Sequence, residues 1–413
     1  MEYYNVLLLL AIILALSKLL VKGCEKLNMP SVVGILLAGV LIGFIKYIPG
    51  QSIIDAVSLE GLGFISKIGV ILIMFNAGLG TDMRNIKAVG APAVLITIAG
   101  VIVPMGLGFV VACLFNGGFN APSDVLLDNL FYGTILTATS VSVTVATLKE
   151  IGKLNGKAGS TIVTAAILDD IIGVIVLSLV IGMKSGNSGE GTESPLTVLL
   201  KTLAFFVFAI VIGFIFMKVF KIIEKKYPHH RMLPVFGVAL CFFFAYASEK
   251  WFGVADITGA FAAGIVLSTN PESNYIERKS DIMGYMIFTP VFFSNIGITT
   301  EFGAIDGGMV AFGICFILAG LIGKVMGCGG AAAICKYGLK DSFRVGVGMM
   351  ARAEVALVCA QKGVENGMIS SSIMPFIVLM IIISSFATPI ILRKMYRGEL
   401  DTPNVDLAAA EKK

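Results

Sequence analysis

Two adjacent acidic residues in an apolar segment are the part of this sequence most able to do chemistry. The stretch TAAILDDIIGVIVLSLVIG, residues 164–182, is long enough to cross a membrane, yet it carries Asp169 and Asp170. Because a charge at mid-membrane costs roughly 2.5–3.5 kcal/mol on insertion scales, each acid needs water, a partner or a bound proton. Neighbouring side chains on a helix point about 100° apart, so one acid can face a partner helix while the other faces a cavity. A structural ion pair needs only one acid, which leaves the second free to exchange a proton for a metal cation.

A lysine in another apolar segment is the natural partner for one of these acids. Lys324 lies near the middle of LAGLIGKVMGCGGAA, among glycines that let a second backbone approach closely. The pairing could be purely structural. A lysine desolvated beside a carboxylate can also titrate, which would make Lys324 a second proton carrier.

A hydroxyl-rich run, TATSVSVT at residues 137–144, predicts an interruption in a membrane helix. Thr, Ser and Val have low helix propensity, and the hydroxyl groups can replace backbone hydrogen bonds. Non-helical backbone at membrane depth is tolerated only where it is buried or lines water. A break at Thr139 and Ser140 would aim carbonyl oxygens at a site near Asp170 and offer ligands for a hard cation such as Na⁺. The alternative is an intact helix whose hydroxyls bond back to its own carbonyls.

An arginine and a glutamate share a further apolar segment, ARAEVAL. Arg352 and Glu354 stand two residues apart, so on a helix they do not face each other, and we expect them to serve different partners. They could compensate the ends of two half-helices at a second break. A structural role is favoured over direct ion transport.

The composition is that of a polytopic membrane protein. The 413 residues are 57% hydrophobic and 14% charged, with a mean hydropathy of +0.92, whereas soluble domains average about 25% charged residues. Apolar runs long enough to cross about 30 Å of hydrocarbon predict an all-α fold of thirteen transmembrane helices, with no soluble domain in the loops. The seven cysteines lie mostly in apolar runs without CxxC motifs. We therefore expect no disulfide framework, zinc site or cofactor, and no nucleic-acid partner.

The basic residues predict the orientation of the chain in the lipid bilayer, because Lys and Arg accumulate on the cytoplasmic side. Connections after the odd-numbered segments hold 22 of the 31 basic residues. The opposite side holds four, Lys46, Lys184, Lys250 and Lys362. We therefore predict a multi-pass protein of the cell (inner) membrane with its N-terminus outside and its C-terminus in the cytoplasm. Asp128, Glu249 and Asp256 fall near the outer side, where we interpret them as ordinary surface charges.

Taken together, these motifs resemble the cation/proton antiporters, specifically the cation/proton antiporter 2 branch with the bacterial sodium/proton exchangers. The resemblance covers nearly the whole chain, because TATSVS, LDD, GKVMG and RAE occur in this order. It implies two inverted six-helix repeats joined by a linker helix, with discontinuous helices crossing at segments five (126–148) and twelve (343–364), and a homodimer. The implied domains are dimer-domain helices 1–3 at 1–88, core-domain helices 4–6 at 89–183, a loop and linker helix 7 at 184–231, dimer-domain helices 8–10 at 232–298, core-domain helices 11–13 at 299–395 and a cytoplasmic tail at 396–413.

The resemblance also implies roles for the polar residues at membrane depth. Asp170 would bind Na⁺ or a proton, and Asp169 would form a proton-coupled salt bridge with Lys324. Thr139 and Ser140 would lie in the unwound segment beside the ion.

The implied function is an electrogenic Na⁺(Li⁺)/H⁺ antiporter, and not an enzyme. Cytoplasmic sodium would be exchanged for two external protons, and Arg352 and Glu354 would form a structural charge pair. A K⁺/H⁺ antiporter of the same family is the alternative, because carboxylate and carbonyl oxygens do not fix an ionic radius. The glutathione-gated potassium relatives are disfavoured, since they usually carry Gln before the Asp and a large soluble nucleotide-binding domain. From a different class, an intramembrane aspartyl protease also needs two acids at depth, but on separate, facing helices.

Overall fold

The computed structural model describes residues 3–26, 31–50, 53–81, 90–140, 142–154, 156–187, 195–226, 232–300 and 307–400. Within these ranges the chain is almost entirely helical. We number the helices in chain order as α1 (Tyr3–Lys26), α2 (Ser31–Gly43), α3 (Ala56–Leu79), α4 (Ala91–Phe115), α5 (Ser123–Ile135), α6 (Ser142–Glu150), α7 (Lys157–Asn187), α8 (Pro195–Lys226), α9 (Met232–Phe252), α10 (Asp256–Ser268), α11 (Ser273–Met283), α12 (Thr289–Thr299), α13 (Gly307–Ile334), α14 (Leu339–Gly348), α15 (Glu354–Glu365) and α16 (Met374–Leu400).

The lengths of these helices match a membrane protein. In the described part of the chain, nine helical segments are long and apolar enough to cross a bilayer, and one of them joins α11 and α12 through the π-helical turn Gly284–Phe288. Two shorter apolar segments occupy Ser31–Tyr47 and Asp256–Ser268. The pairs α5–α6 and α14–α15 each fill one segment that the sequence predicted as a single span. The all-helical fold is therefore confirmed, whereas the exact count of thirteen membrane crossings stays a prediction.

The helices form two bundles. The first bundle contains α1 to α3 and α9 to α12, and the second contains α4 to α7 and α13 to α16. Helix α8 packs on α7 of the second bundle and on α9 and α10 of the first. The two bundles also touch directly where α7 meets α10. The roles predicted for these segments, dimerisation for the first and transport for the second, stay predictions.

Glycines allow the closest helix pairs to approach. A methyl group added at Gly323 of α13 would lie 2.9 Å from Pro104 Cα of α4, and one at Gly327 would lie 2.5 Å from the Ala99 carbonyl oxygen. Both distances are too short for a real side chain, so α4 and α13 pack backbone against backbone. This contact fixes the position of Lys324 relative to α4, because Lys324 lies on α13 between the two glycines.

Two helix interruptions cross at the centre of the second bundle. After α5, residues 136–140 are non-helical, and after α14, residues 349–353 are non-helical. The backbone N–H of Ser140 donates to the Ala351 carbonyl oxygen at 2.9 Å. The Thr144 hydroxyl donates to the Gly348 carbonyl oxygen at 2.7 Å. The break predicted within TATSVSVT is thereby confirmed, and the alternative of an intact helix is wrong.

Two helices continue past predicted domain boundaries, which themselves stay predictions. Helix α7 continues to Asn187, so the polar connection predicted from residue 184 begins at least four residues later; residues 188–194 lie outside the described residues. Helix α16 continues to Leu400, although the cytoplasmic tail was predicted from residue 396. Residues 401–413 of that tail lie outside the described residues. In both places the last helical turns are polar, and hydropathy alone ends a segment too early.

Candidate ion-binding site

A narrow cavity lies where the two bundles meet. Most of its wall comes from the second bundle, and the first bundle adds one residue from α3 and one from α10. Its lining residues are Met74, Thr137, Ala138, Asp169, Asp170, Gly173, Val174, Leu177, Ile257, Val355, Val358 and Cys359. The wall is apolar except for the two acids and the Thr137 hydroxyl, so a cation that enters meets few oxygen ligands.

The first acid is neutralised by the lysine. Lys324 Nζ lies 2.7 Å from Asp169 Oδ1 and 2.9 Å from Asp169 Oδ2. Both residues are buried, since the exposed fraction is 0% for Lys324 and 2% for Asp169. Gly100 of α4 closes over the pair, because a methyl group there would lie 3.7 Å from Lys324 Nζ and 3.9 Å from Asp169 Oδ1. The ion pair is therefore sealed between α4, α7 and α13.

The second acid is left without a partner. In the part of the chain that the structure describes, Asp170 has neither a hydrogen-bond nor an ion-pair partner, and it lines the cavity. Gly173, one turn further along α7, brings that helix close to the interruption, since a methyl group there would lie 3.9 Å from the Thr137 hydroxyl oxygen. Asp170 is therefore the group in this cavity that can take up either a proton or a cation.

The hydroxyl residues are placed differently from the prediction. Thr139 and Ser140 lie in the interruption, but neither lines the cavity. The Thr139 hydroxyl donates to the Thr137 carbonyl oxygen at 3.4 Å. Thr137, which the sequence reasoning did not single out, lines the cavity instead, and its hydroxyl donates to the Thr134 carbonyl oxygen at 2.8 Å. Direct ion coordination by Thr139 or Ser140 stays a prediction.

Arg352 holds the crossing together. Its side chain is fully buried in the second interruption. One terminal nitrogen donates a hydrogen bond to the Ala138 carbonyl oxygen, and the other donates to the Gly320 carbonyl oxygen at 3.1 Å. The guanidinium thus supplies positive charge beside the C-terminal end of α5, where helix carbonyls carry partial negative charge. One of the two lone pairs of the Ala138 carbonyl oxygen is consequently engaged by Arg352.

The structural charge pair expected between Arg352 and Glu354 is not formed. No ion pair joins them within the described residues. Ala353, which separates them, has extended backbone angles (φ −153°, ψ −136°), so the two side chains leave the chain in different directions. Glu354 begins α15, at the positive end of that helix. The expectation that the two residues serve different partners is the one that agrees with the structure.

We expect Arg352→Leu to lower the stability of the folded protein, because the buried Ala138 carbonyl loses its partner at a cost of about 1–3 kcal/mol. The Gly320 carbonyl, which lies inside α13, loses only its additional bond to Arg352. The melting temperature of the detergent-solubilised chain, followed by size-exclusion chromatography after heating, measures this loss. Arg352→Lys is the matched control, since it keeps the charge but cannot span both carbonyls, and an intermediate value is expected. An unchanged melting temperature for Arg352→Leu would contradict the role in the crossing.

Two helix interruptions that cross beside a carboxyl group with no polar partner among the described residues, between two bundles, are features typical of a secondary transporter of cations. The comparisons with known proteins make the class specific. The family description "Sodium/hydrogen exchanger, transmembrane" matches residues 9–397, and the chain belongs to this family.

Curated relatives match over their whole lengths. The Na(+)/H(+)-K(+) antiporter GerN of Bacillus cereus is 32% identical over 388 residues, which cover 93% of this chain and 94% of GerN. The probable Na(+)/H(+) antiporter GerT of the same organism is 34% identical over 394 residues, which cover 94% of this chain and 98% of GerT. Among solved structures, the sodium proton antiporter MjNhaP1 from Methanocaldococcus jannaschii has a TM-score of 0.72 at 20% identity, covering 97% of this chain and 98% of that one. That likeness shows the antiporter fold.

The family is one of transporters, which leaves the protease alternative without support. Asp169 and Asp170 are adjacent on one helix, and Lys324 occupies the first of them. A protease dyad needs two carboxyl groups that share one substrate from facing elements. The site does not have that geometry.

Proposed function

We propose that this protein is an electrogenic Na⁺(Li⁺)/H⁺ antiporter that exchanges cytoplasmic sodium for external protons. The observation that carries the proposal is the unpaired carboxyl group of Asp170 beside a neighbour that is already neutralised by Lys324. One acid is left for the transported ion, and the other is committed to the lysine. The relatives GerN and GerT, both named as Na(+)/H(+) antiporters, support this assignment.

Competition for Asp170 couples the two fluxes. A cation binds the carboxylate only after the proton has left, and a proton displaces the cation on the other side. The cavity lies between the bundles, so movement of the second bundle against the first would change the side to which Asp170 is exposed. Exchange should therefore slow at low pH, where protons occupy Asp170 on both sides.

The Asp169–Lys324 pair is the proposed source of electrogenicity. A lysine buried in a low-dielectric site can give up its proton when its neighbourhood changes. If Lys324 loses a proton on the side where sodium binds, two protons move for each sodium. A net charge then crosses the membrane in every cycle.

Potassium is the second candidate for the transported cation, and the name of one relative supports it. GerN of Bacillus cereus is named as a Na(+)/H(+)-K(+) antiporter. The oxygen groups on the cavity wall, a carboxylate and a hydroxyl, bind hard cations without selecting a single radius. A K⁺/H⁺ antiporter with the same site is therefore the alternative proposal.

The assembly and the location complete the proposal. We propose a homodimer formed through the first bundle in the cell (inner) membrane, with the N-terminus outside and the C-terminus in the cytoplasm. The distribution of basic residues supports the orientation, since 22 of the 31 lie in the connections assigned to the cytoplasm. No nucleic-acid partner or cofactor is proposed.

Proton efflux from proteoliposomes tests the proposal when the external solution contains a higher concentration of Na⁺, Li⁺ or K⁺ than the interior. We expect Na⁺ and Li⁺ to drive efflux and K⁺ to drive little. Repeating the Na⁺ arm with equal potassium on both sides and valinomycin clamps the membrane potential at zero, and clamping should accelerate an electrogenic exchanger. Efflux driven by K⁺ alone would favour the alternative, and a rate unaffected by the clamp would contradict electrogenic exchange.

A further inference from the structure

An ion pair between a buried lysine and a partly exposed aspartate joins the two bundles at one end of the cavity. Lys362 of α15, in the second bundle, places Nζ 2.8 Å from Asp256 Oδ1 of α10, in the first bundle. Only 8% of Lys362 is exposed. Lys362 was predicted to lie on the outer side, and Asp256 was interpreted as a surface charge, so their contact between the two bundles is a finding of the structure.

The ion pair lies directly beyond the residues that line the cavity. On α15 the lining residues Val355, Val358 and Cys359 share one helix face, and Lys362 continues that face one turn further. On α10, Asp256 precedes the lining residue Ile257. The pair therefore covers the end of the cavity toward which α15 runs, which is the outer end in the proposed orientation.

A second polar contact crosses the same boundary. The hydroxyls of Ser178 on α7 and Thr258 on α10 form a short hydrogen bond, and each follows a residue that lines the cavity, Leu177 and Ile257 respectively. At this end of the cavity the two bundles are thus held by an ion pair and a hydroxyl pair. Neither contact can persist if the bundles separate there.

Both members of the ion pair have a substitute partner on their own side. Lys362 Nζ also lies 3.2 Å from Glu365 Oε2 on the same helix. Asp256 begins α10, where the positive end of a helix stabilises an acid. Its backbone N–H donates to Glu249 Oε2 at 2.9 Å, which anchors it to α9 of the same bundle. Breaking the pair would therefore leave neither charge buried and unpaired, which is what a contact that opens and closes repeatedly requires.

We propose that the Lys362–Asp256 ion pair is the outer gate of this transporter. It closes the cavity to the outside in the conformation described, and it must break before Asp170 can be reached from that side. Lys362 and Asp256 are positioning residues, since they act on access and do not bind the ion. The inference rests on the proposed exchange by relative movement of the two bundles.

Cys359 provides a native reporter for the gate, because its side chain lines the cavity one turn below Lys362. The full chain in intact cells is treated with a charged, membrane-impermeant methanethiosulfonate reagent in sodium-free buffer. Modification of Cys359 over time is followed by peptide mass spectrometry. We expect Lys362→Met and Asp256→Asn to accelerate this modification about tenfold, because removing a buried ion pair shifts a two-state equilibrium by at least that factor.

Two control variants separate a gate from general loosening. Lys184→Met removes an ion pair at the same membrane face, with Asp128 at 2.9 Å, but that pair lies within the second bundle and should leave Cys359 modification unchanged. Lys362→Arg keeps the charge, so Cys359 should stay protected from the reagent in this variant. The proposal is overturned if Lys362→Met leaves the Cys359 rate unchanged, or if Lys184→Met raises it equally. Since the readout needs no ion flux, its failure is distinguishable from failure of the proposed exchange.

Discussion

Asp170→Asn is expected to reduce cation-driven proton flux to the level of protein-free liposomes. Asparagine has nearly the shape of aspartate, but it carries no negative charge and no exchangeable acidic proton. Since Asp170 has no hydrogen-bond or ion-pair partner in the described part of the chain, no packing interaction is lost with the charge. Loss of flux in a well-folded protein would therefore report the loss of the exchange site alone.

Stability measured beside flux makes this result specific. Because the substitution removes an uncompensated charge from a mostly apolar cavity, the melting temperature should stay the same or rise. Asp170→Glu is the matched variant that keeps the acid but lengthens it by one methylene. We expect it to retain some exchange with a weaker apparent affinity for sodium. Sodium-dependent proton flux that persists in Asp170→Asn would show that another group binds the ion.

Local chemistry explains which parts of this architecture could be predicted from sequence. Apolar runs define membrane helices, because backbone groups in hydrocarbon must bond within their own segment. The interruption after α5 was predictable, since TATSVSVT combines low helix propensity with hydroxyls that compete for backbone bonds. The pairing of Lys324 with an acid followed from the cost of a charge at membrane depth.

Contacts between distant segments account for what could not be predicted. Arg352 binds the carbonyl groups of Ala138 and Gly320, and because every residue has a carbonyl group, the sequence holds no signal for such partners. Lys362 and Asp256 had the sequence context of surface charges, and their burial depends on how the two bundles meet. Thr137 could have been found from the run itself, because it is the first hydroxyl residue of TATSVSVT and the interruption begins just before it, at Leu136.

The other large effect is expected at Lys324. Lys324→Met should destabilise the protein by about 3–5 kcal/mol, because it leaves Asp169 charged and buried without a partner. Asp169→Asn leaves Lys324 charged and buried without its partner, and it should lower the stability by a similar amount. Thermal melting of both single variants and of the double variant measures the coupling between the two side chains. If the decreases in melting temperature caused by the two single substitutions add up in the double variant, the two residues are not energetically coupled.

The double variant Asp169→Asn/Lys324→Met also separates the structural role of the pair from its proposed role in proton coupling. Replacing both charges with neutral groups of similar size restores a compensated site, so stability should recover toward that of the unaltered protein. Asp170 is untouched and should still exchange a cation for a proton. The second proton has lost its carrier, so exchange should become electroneutral, and clamping the membrane potential at zero should no longer change the rate. A double variant that still responds to the clamp would place the second proton elsewhere, and a purely structural salt bridge would then account for Lys324.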